Sequence, residues 1–191
     1  EVLFHAIDTK QHCIIYEDRS VEVWSLPLHH RVPCAGFLFK EKQALPHIRR
    51  EMIDAFNIPI SQINNIKAGA SWTTEDGTFI PHERLTFPAE PARSYAYCSD
   101  TRYTPRLAEM IQGVDLLYHE ATFPHEMLTQ AQKTMHSTSI EAAMMAKSAG
   151  AAKLLIGHYS ARIKNESPLL EEAKSVFPNT ILAQEGVKIR I

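Results

Sequence analysis

Tyr97-Cys98-Ser99-Asp100-Thr101 opens the stretch that decides the fold. His119-Glu120-Ala121-Thr122, His136-Ser137-Thr138 and Gly157-His158-Tyr159-Ser160-Ala161-Arg162 follow it. Each piece ends a short apolar run or leads into a helix, and each carries an acid or a histidine. Ser94 to Cys98 reads as a strand, with Asp100 just past it. Thr104-Pro105 opens a helix, proline being free of cost at the first position. Leu107, Met110 and Ile111 form its apolar face, and Gly113 stops it. Val114 to Tyr118 predicts the next strand, with His119-Glu120 at its end, and a polar stretch runs on to Met135. Thr138 and Glu141 have the spacing of a capping box for a helix to about Ala149. Lys153 to Gly157 reads as a buried strand with His158 at its tip. Ser167-Pro168 starts a last helix, to about Phe177. This alternation of strand and helix predicts an α/β fold with a parallel sheet, whose ligand sites lie at the carboxyl ends of the strands.

The chain before Ser94 is mostly strand-like. Val2 to Ala6, Cys13 to Tyr16, Val21 to Leu26 and Ala35 to Phe39 predict strands, the third by its alternation. Pro27-Leu28-His29-His30-Arg31-Val32-Pro33 is a loop. Ile48, Met52, Ile53 and Phe56 fall at helical spacing between Pro46 and Phe56. Trp72 to Thr74 and Thr78 to Ile80 predict a hairpin across Glu75-Asp76-Gly77. Pro81 to Pro91 reads as an extended loop. Ile181 to Ala183 and Val187 to Ile191 predict closing strands. Residues of about 45–81 are the best candidate for an excursion from a single domain.

With 191 residues, 45% apolar and 22% charged, the chain has ordinary values for one domain with a core. No apolar run is long enough to span a bilayer, so no membrane partner is expected. The start, Glu1-Val2-Leu3-Phe4-His5, lacks methionine and a basic leader, which predicts a segment of a longer, non-secreted protein. Cys13, Cys34 and Cys98 form no CxxC pair and predict reduced thiols in a cytoplasmic protein. A net charge of −2 means that a nucleic-acid partner would need a local patch or metal ions.

Ten histidines are many for this length. Imidazole and carboxylate suit zinc or a similar divalent ion, and one carboxylate can bridge two ions about 4 Å apart. Any one of these histidines alone also fits a hydrogen-bonded core or surface residue. Asp100, His119/Glu120 and His158, each ending a strand of one sheet, would converge in space.

The four pieces quoted first resemble the later motifs of ribonuclease Z, the zinc-dependent endonuclease that trims the 3′ end of precursor tRNA. Pro27 to Pro33 resembles the preceding motif, and order and spacing match over nearly the whole chain. The resemblance implies part of a metallo-β-lactamase αββα sandwich, a mixed sheet covered by helices with an inserted arm. It implies His30 as a ligand of a first zinc, Asp100 as a bridging ligand and His158 as a ligand of a second. His29 is then a neighbour rather than the ligand, because the family histidine directly precedes the Arg-Val pair. Glu120 and His136 resemble the catalytic pair in which the glutamate orients a histidine that protonates the leaving 3′ oxygen. His119 reads as structural or supporting. Precursor tRNA as substrate and a homodimer are implied in the same way.

The family's earlier His-x-His-x-Asp-His cluster is absent; the chain has no His-x-His. The resemblance is therefore to a C-terminal portion with an incomplete zinc ligand set, expected to bind metal weakly and to be inactive alone. The excursion at about 45–81 lies where the family carries a tRNA-binding arm. Lys40, Lys42, His47, Arg49, Arg50 and Lys67 could meet phosphates there. With Glu41, Glu51 and Asp54 interleaved, an ordinary solvated face fits equally. The arm's glycine-proline pair is replaced by Ile60-Ser61-Gln62. Arg162 either contacts phosphate or stabilises its own loop. Two other readings stay open: a metallo-β-lactamase-fold phosphodiesterase with another substrate, and a non-catalytic RNA-binding subunit.

Overall fold

A computed structural model describes residues 2–191. In chain order, β1 (Ile14–Glu17), β2 (Val21–Pro27) and β3 (Ala35–Glu41) come first. They are followed by β4 (His47–Ile48), α1 (Arg50–Ala55), α2 (Ile60–Lys67), β5 (Trp72–Thr73), β6 (Phe79–Ile80), the single turn α3 (His82–Leu85) and β7 (Thr86–Phe87). The rest holds β8 (Ser94–Cys98), α4 (Pro105–Met110), β9 (Leu116–Glu120), a 3₁₀ turn (His125–Met127), α5 (Leu128–Thr134), α6 (Ser139–Ser148), β10 (Lys153–Gly157), α7 (Ser167–Val176) and β11 (Thr180–Leu182). Two compact units result: 1–41 with 93–191, and 42–92.

The first unit is built on one mixed sheet in the order β1-β2-β3-β8-β9-β10-β11. Neighbours from β1 to β8 are antiparallel, and those from β8 to β11 are parallel. Alternation puts Leu38, Ala96, Leu117, Leu154 and Ile156 on one face. There they pack under Leu107 of α4 and Ile111 just past it, the alanines and Met145 of α6, and Leu169 and Ala173 of α7. Helix α6 lies close because Ala142, Ala143 and Ala146 present so little bulk. Its capping box forms: Thr138 accepts from the Glu141 N–H, and Glu141 accepts from the Thr138 N–H. The opposite sheet face carries stacked pairs, Phe39 on Tyr95 and Tyr97 on Tyr118, with ring centroids 5.9 and 4.7 Å apart.

Gly36 of β3 is where the sheet tolerates no side chain. A Cβ there would drive into the Tyr97 carbonyl oxygen, which the β3–β8 pairing holds in place. Gly36→Ala is expected to lower unfolding free energy by about 1–3 kcal/mol, the usual range for overpacking, measurable by urea denaturation. A variant as stable as the wild type would contradict that register.

The second unit has its own core of Ile58, Ile66, Ile80 and Leu85, flanked by Ile48, Met52, Ile53, Phe56 and Trp72. The Trp72 indole N–H donates to the Phe56 carbonyl at 3.2 Å. Arg49, one of the cations that could meet phosphate, lies over the Phe87 ring at 3.9 Å and donates to the Thr86 carbonyl.

Several expectations are corrected. Val2–Ala6 and Val187–Ile191 form no strand, since among the described residues neither segment has a pairing partner. The helix expected from Pro46 starts at Arg50, because His47–Ile48 pairs with Thr86–Phe87. Part of the loop after Pro81 is helical, at His82–Leu85. The stretch before Met135 contains the 3₁₀ turn and α5, a helix that buries only Ala131 and so shows little apolar periodicity. Strand β9 runs through Glu120 rather than stopping at Tyr118.

Candidate active site

The parallel strands β8, β9 and β10 run the same way, so the residues after them meet at one sheet end. Strand β3 is antiparallel to β8, which brings the loop before β3, carrying His30, to that same end. Asp100, Met135 and His158 all adopt left-handed backbone conformations, with φ of 63°, 63° and 57°. Such residues cost on the order of 1 kcal/mol or more each and concentrate at functional sites.

Glu120 is the hub. Its side chain is fully buried and accepts from four donors. The Thr101 N–H lies at 2.5 Å, the Thr122 hydroxyl at 2.6 Å, the Ser137 N–H at 3.0 Å and His136 Nδ1 at 3.0 Å. Four donors fill the acceptor capacity of a carboxylate. The ligand-type atoms of Glu120, His136 and His158 lie within 4.8 Å of one another, as in a metal cluster. Glu120 nevertheless has no free lone pair to give a cation, and it holds His136 through Nδ1.

With Nδ1–H donated to Glu120, His136 presents Nε2 outward. Its ring sits between His30 and His158, at centroid distances of 4.9 and 5.3 Å. His30 Nδ1 donates to the Met135 carbonyl at 3.0 Å, which leaves its Nε2 lone pair available. His158 Nε2 stands 3.0 Å from Asp100 Oδ1, with both side chains partly open to solvent. His29 is turned to solvent; its N–H donates to Thr101 Oγ1 at 3.1 Å. His119 points to the other face of β9, beneath the helices, and is fully buried. Its Nδ1–H donates to the Glu120 carbonyl, and burial pushes its pKa down, keeping it neutral.

The field is negative. The Cys34 thiol, which donates to the Asp100 carbonyl at 3.3 Å, is pushed up by burial first and then by the Asp100 and Glu120 charges. The Tyr118 phenol is raised to about 12, by burial first, with Tyr97 and the same two carboxylates adding to it.

Similar sequences are found among known proteins. Over all 191 residues the chain is 50% identical to ribonuclease Z of Bacteroides fragilis (strain YCH46), covering 63% of that protein. It is 50% identical to ribonuclease Z of Phocaeicola vulgatus, again over 191 residues and covering 62% of it. Among solved structures, a metallo-β-lactamase fold protein from Bacillus subtilis superposes on 96% of the chain and 54% of its own, with a TM-score of 0.60 at 19% identity. The chain is a ribonuclease Z-like sequence with the metallo-β-lactamase fold. The short form of human tRNase Z covers 93% of it, with 47% of that protein matched, at a TM-score of 0.53 and 19% identity. No protein-family model matches. This ribonuclease Z-like chain spans about three fifths of the length of the curated relatives it matches.

The donor set fits a divalent cation. Two imidazoles have Nδ1 engaged inside the protein and Nε2 available, the arrangement of metal-ligating histidines. Asp100 beside His158 adds hard oxygen donors in a negative field. The sequence reading named His30, Asp100, Glu120, His136 and His158, and the fold gathers all five. It passed over Thr101, Thr122 and Ser137, which hold Glu120. Two of those three contacts are backbone N–H groups, which carry no side-chain signature. Thr122 could have been suspected from its place two residues after Glu120 in a strand-like run.

Proposed function

We propose that the chain is the C-terminal portion of a zinc-dependent endoribonuclease that removes the 3′ trailer of precursor tRNA. The observation that carries this reading is His136, held by a buried, fully hydrogen-bonded Glu120 with Nε2 free beside His158 and His30. That is how a general acid is presented to a leaving oxygen. His30, Asp100 and His158 would hold the metal ions. When bound, the ions activate the attacking water and stabilise the developing charge on the phosphate oxygens. As the bond from phosphorus to the 3′ oxygen breaks, His136 Nε2 gives its proton to that oxygen. Glu120 keeps Nδ1 protonated and offsets the imidazolium charge before the transfer.

Each ion would draw two protein ligands from this chain, below the three of a catalytic zinc site. Residues 1–191 alone are therefore expected to bind zinc weakly and not to turn over. The unit 42–92 is the part suited to gripping tRNA, with Arg50 and Lys67 rather than Arg49 as candidate phosphate contacts. A cytoplasmic homodimer completes the reading.

The test uses the full-length protein on a precursor tRNA with a 3′ trailer. Trailer removal should be lost on chelation and restored by zinc. Hydrolysis of a small phosphodiester with the precursor tRNA left intact would overturn the assignment.

A further inference from the structure

Thr122 Oγ1 lies 2.6 Å from Glu120 Oε2, 3.0 Å from His158 Nδ1 and 2.9 Å from the His158 carbonyl oxygen. A hydroxyl has one proton to serve these three atoms. The carboxylate and the carbonyl can only accept, so the proton lies between them, favouring the nearer, charged carboxylate. The lone pairs of Oγ1 then face His158, and Nδ1 must be the donor. An imidazole protonated at Nδ1 turns the Nε2 lone pair toward Asp100 Oδ1, 3.0 Å away. Two lone pairs at that separation repel unless a proton or a cation lies between them.

The Thr122 side chain cannot swing away. Thr122 is only 5% exposed. Its carbonyl accepts from the Ser160 N–H at 3.1 Å, and the neighbouring Ala121 N–H donates to the Gly157 carbonyl at 2.8 Å. The residue is thus pinned to both sides of His158, whose backbone is itself in the left-handed region. One side chain joins two halves of the site: His136 to Glu120 to Thr122 to His158 to Asp100.

We propose that Thr122 is a positioning residue: its hydroxyl fixes the tautomer and direction of His158 for a divalent cation and couples that ligand to the Glu120–His136 pair. This rests on the metal-centre reading above. Thr122→Val keeps the β-branched shape and removes only the hydroxyl function; Thr122→Ser keeps the hydroxyl.

The experiment measures zinc affinity of the full-length protein by competition with a chromophoric chelator, together with ¹⁵N NMR of the His158 ring. Thr122→Val should bind zinc about 10–100-fold more weakly, the usual cost of losing such a partner. Thr122→Ser should stay within about threefold of wild type by the same measure. The His158 Nδ1–H signal should persist in wild type and serine variant and be lost in the valine variant. Should valine prevent folding, as judged by circular dichroism, Thr122→Ala against Thr122→Ser makes the same comparison. Unchanged zinc affinity and tautomer without the hydroxyl would overturn the proposal alone. A wild-type protein that binds no divalent cation would overturn the metal-centre reading and this proposal with it.

Discussion

Replacing His136 by alanine in the full-length protein is expected to cut kcat for trailer removal by roughly 10²–10⁴-fold, the range of general acid–base catalysis. Metal affinity should barely change. The two readouts separate two roles that the geometry places close together. His136 lies within the same cluster as His158, so a ligand role is stereochemically near at hand. If His136 ligated a metal, its loss would weaken binding as well as turnover. As a proton donor it leaves binding alone, and its absence matters only when the leaving oxygen needs a proton. A substrate whose scissile 3′ oxygen is replaced by sulfur tests this directly, because a thiolate leaves without protonation. The alanine variant should cleave that substrate at nearly the wild-type rate. Equal defects on both substrates, with weakened metal binding, would assign His136 to the metal instead.

The parallel half of the fold was legible from Ser94 onward because each strand there is a short apolar run followed by a helix with clear punctuation. Thr104-Pro105, the Thr138–Glu141 box and Ser167-Pro168 are local signals, and each sits where an element begins, whereas α4 ends at Met110, before the Gly113 expected to stop it. The terminal strands were misjudged because alternation signals only the capacity to pair. Val187 to Ile191 alternates, yet a strand exists only beside a free edge in register, which is a tertiary fact. The end of β9 shows how little separates two readings. Extending the strand by two residues puts His119 and Glu120 on opposite faces, so one becomes a neutral core histidine and the other the hub of the site. Spacing along the chain could bring Asp100, Glu120, His136 and His158 to one end of the sheet. It could not reveal that Glu120 is saturated, since two of its four donors are backbone N–H groups.

That saturation gives the second large expected effect. Glu120→Gln preserves size and shape but replaces one acceptor oxygen by an NH₂ group. If the amide nitrogen takes the Oε2 position, Thr122 can turn its hydroxyl to the His158 carbonyl, 2.9 Å away, and accept from the new N–H. The Ser137 N–H cannot turn, so a buried donor is left facing a donor. If the amide nitrogen takes the Oε1 position, the same conflict falls on the Thr101 N–H. Either rotamer orphans one buried backbone group and forfeits the charge that strengthens the remaining bonds. The sum is about 2–4 kcal/mol of lost stability, read from urea unfolding of the full-length protein. Catalysis should fall with it, since His136 loses the anion that holds its Nδ1 proton. On the proposal that Glu120 acts on the reaction through His136, the two losses should not add: once His136 is alanine, Glu120→Gln should lower kcat little further. Glu120 would instead act independently of His136 if the double variant lost the product of the two single effects. A glutamine variant as stable as wild type would mean that the four hydrogen bonds drawn to this carboxylate do not coexist.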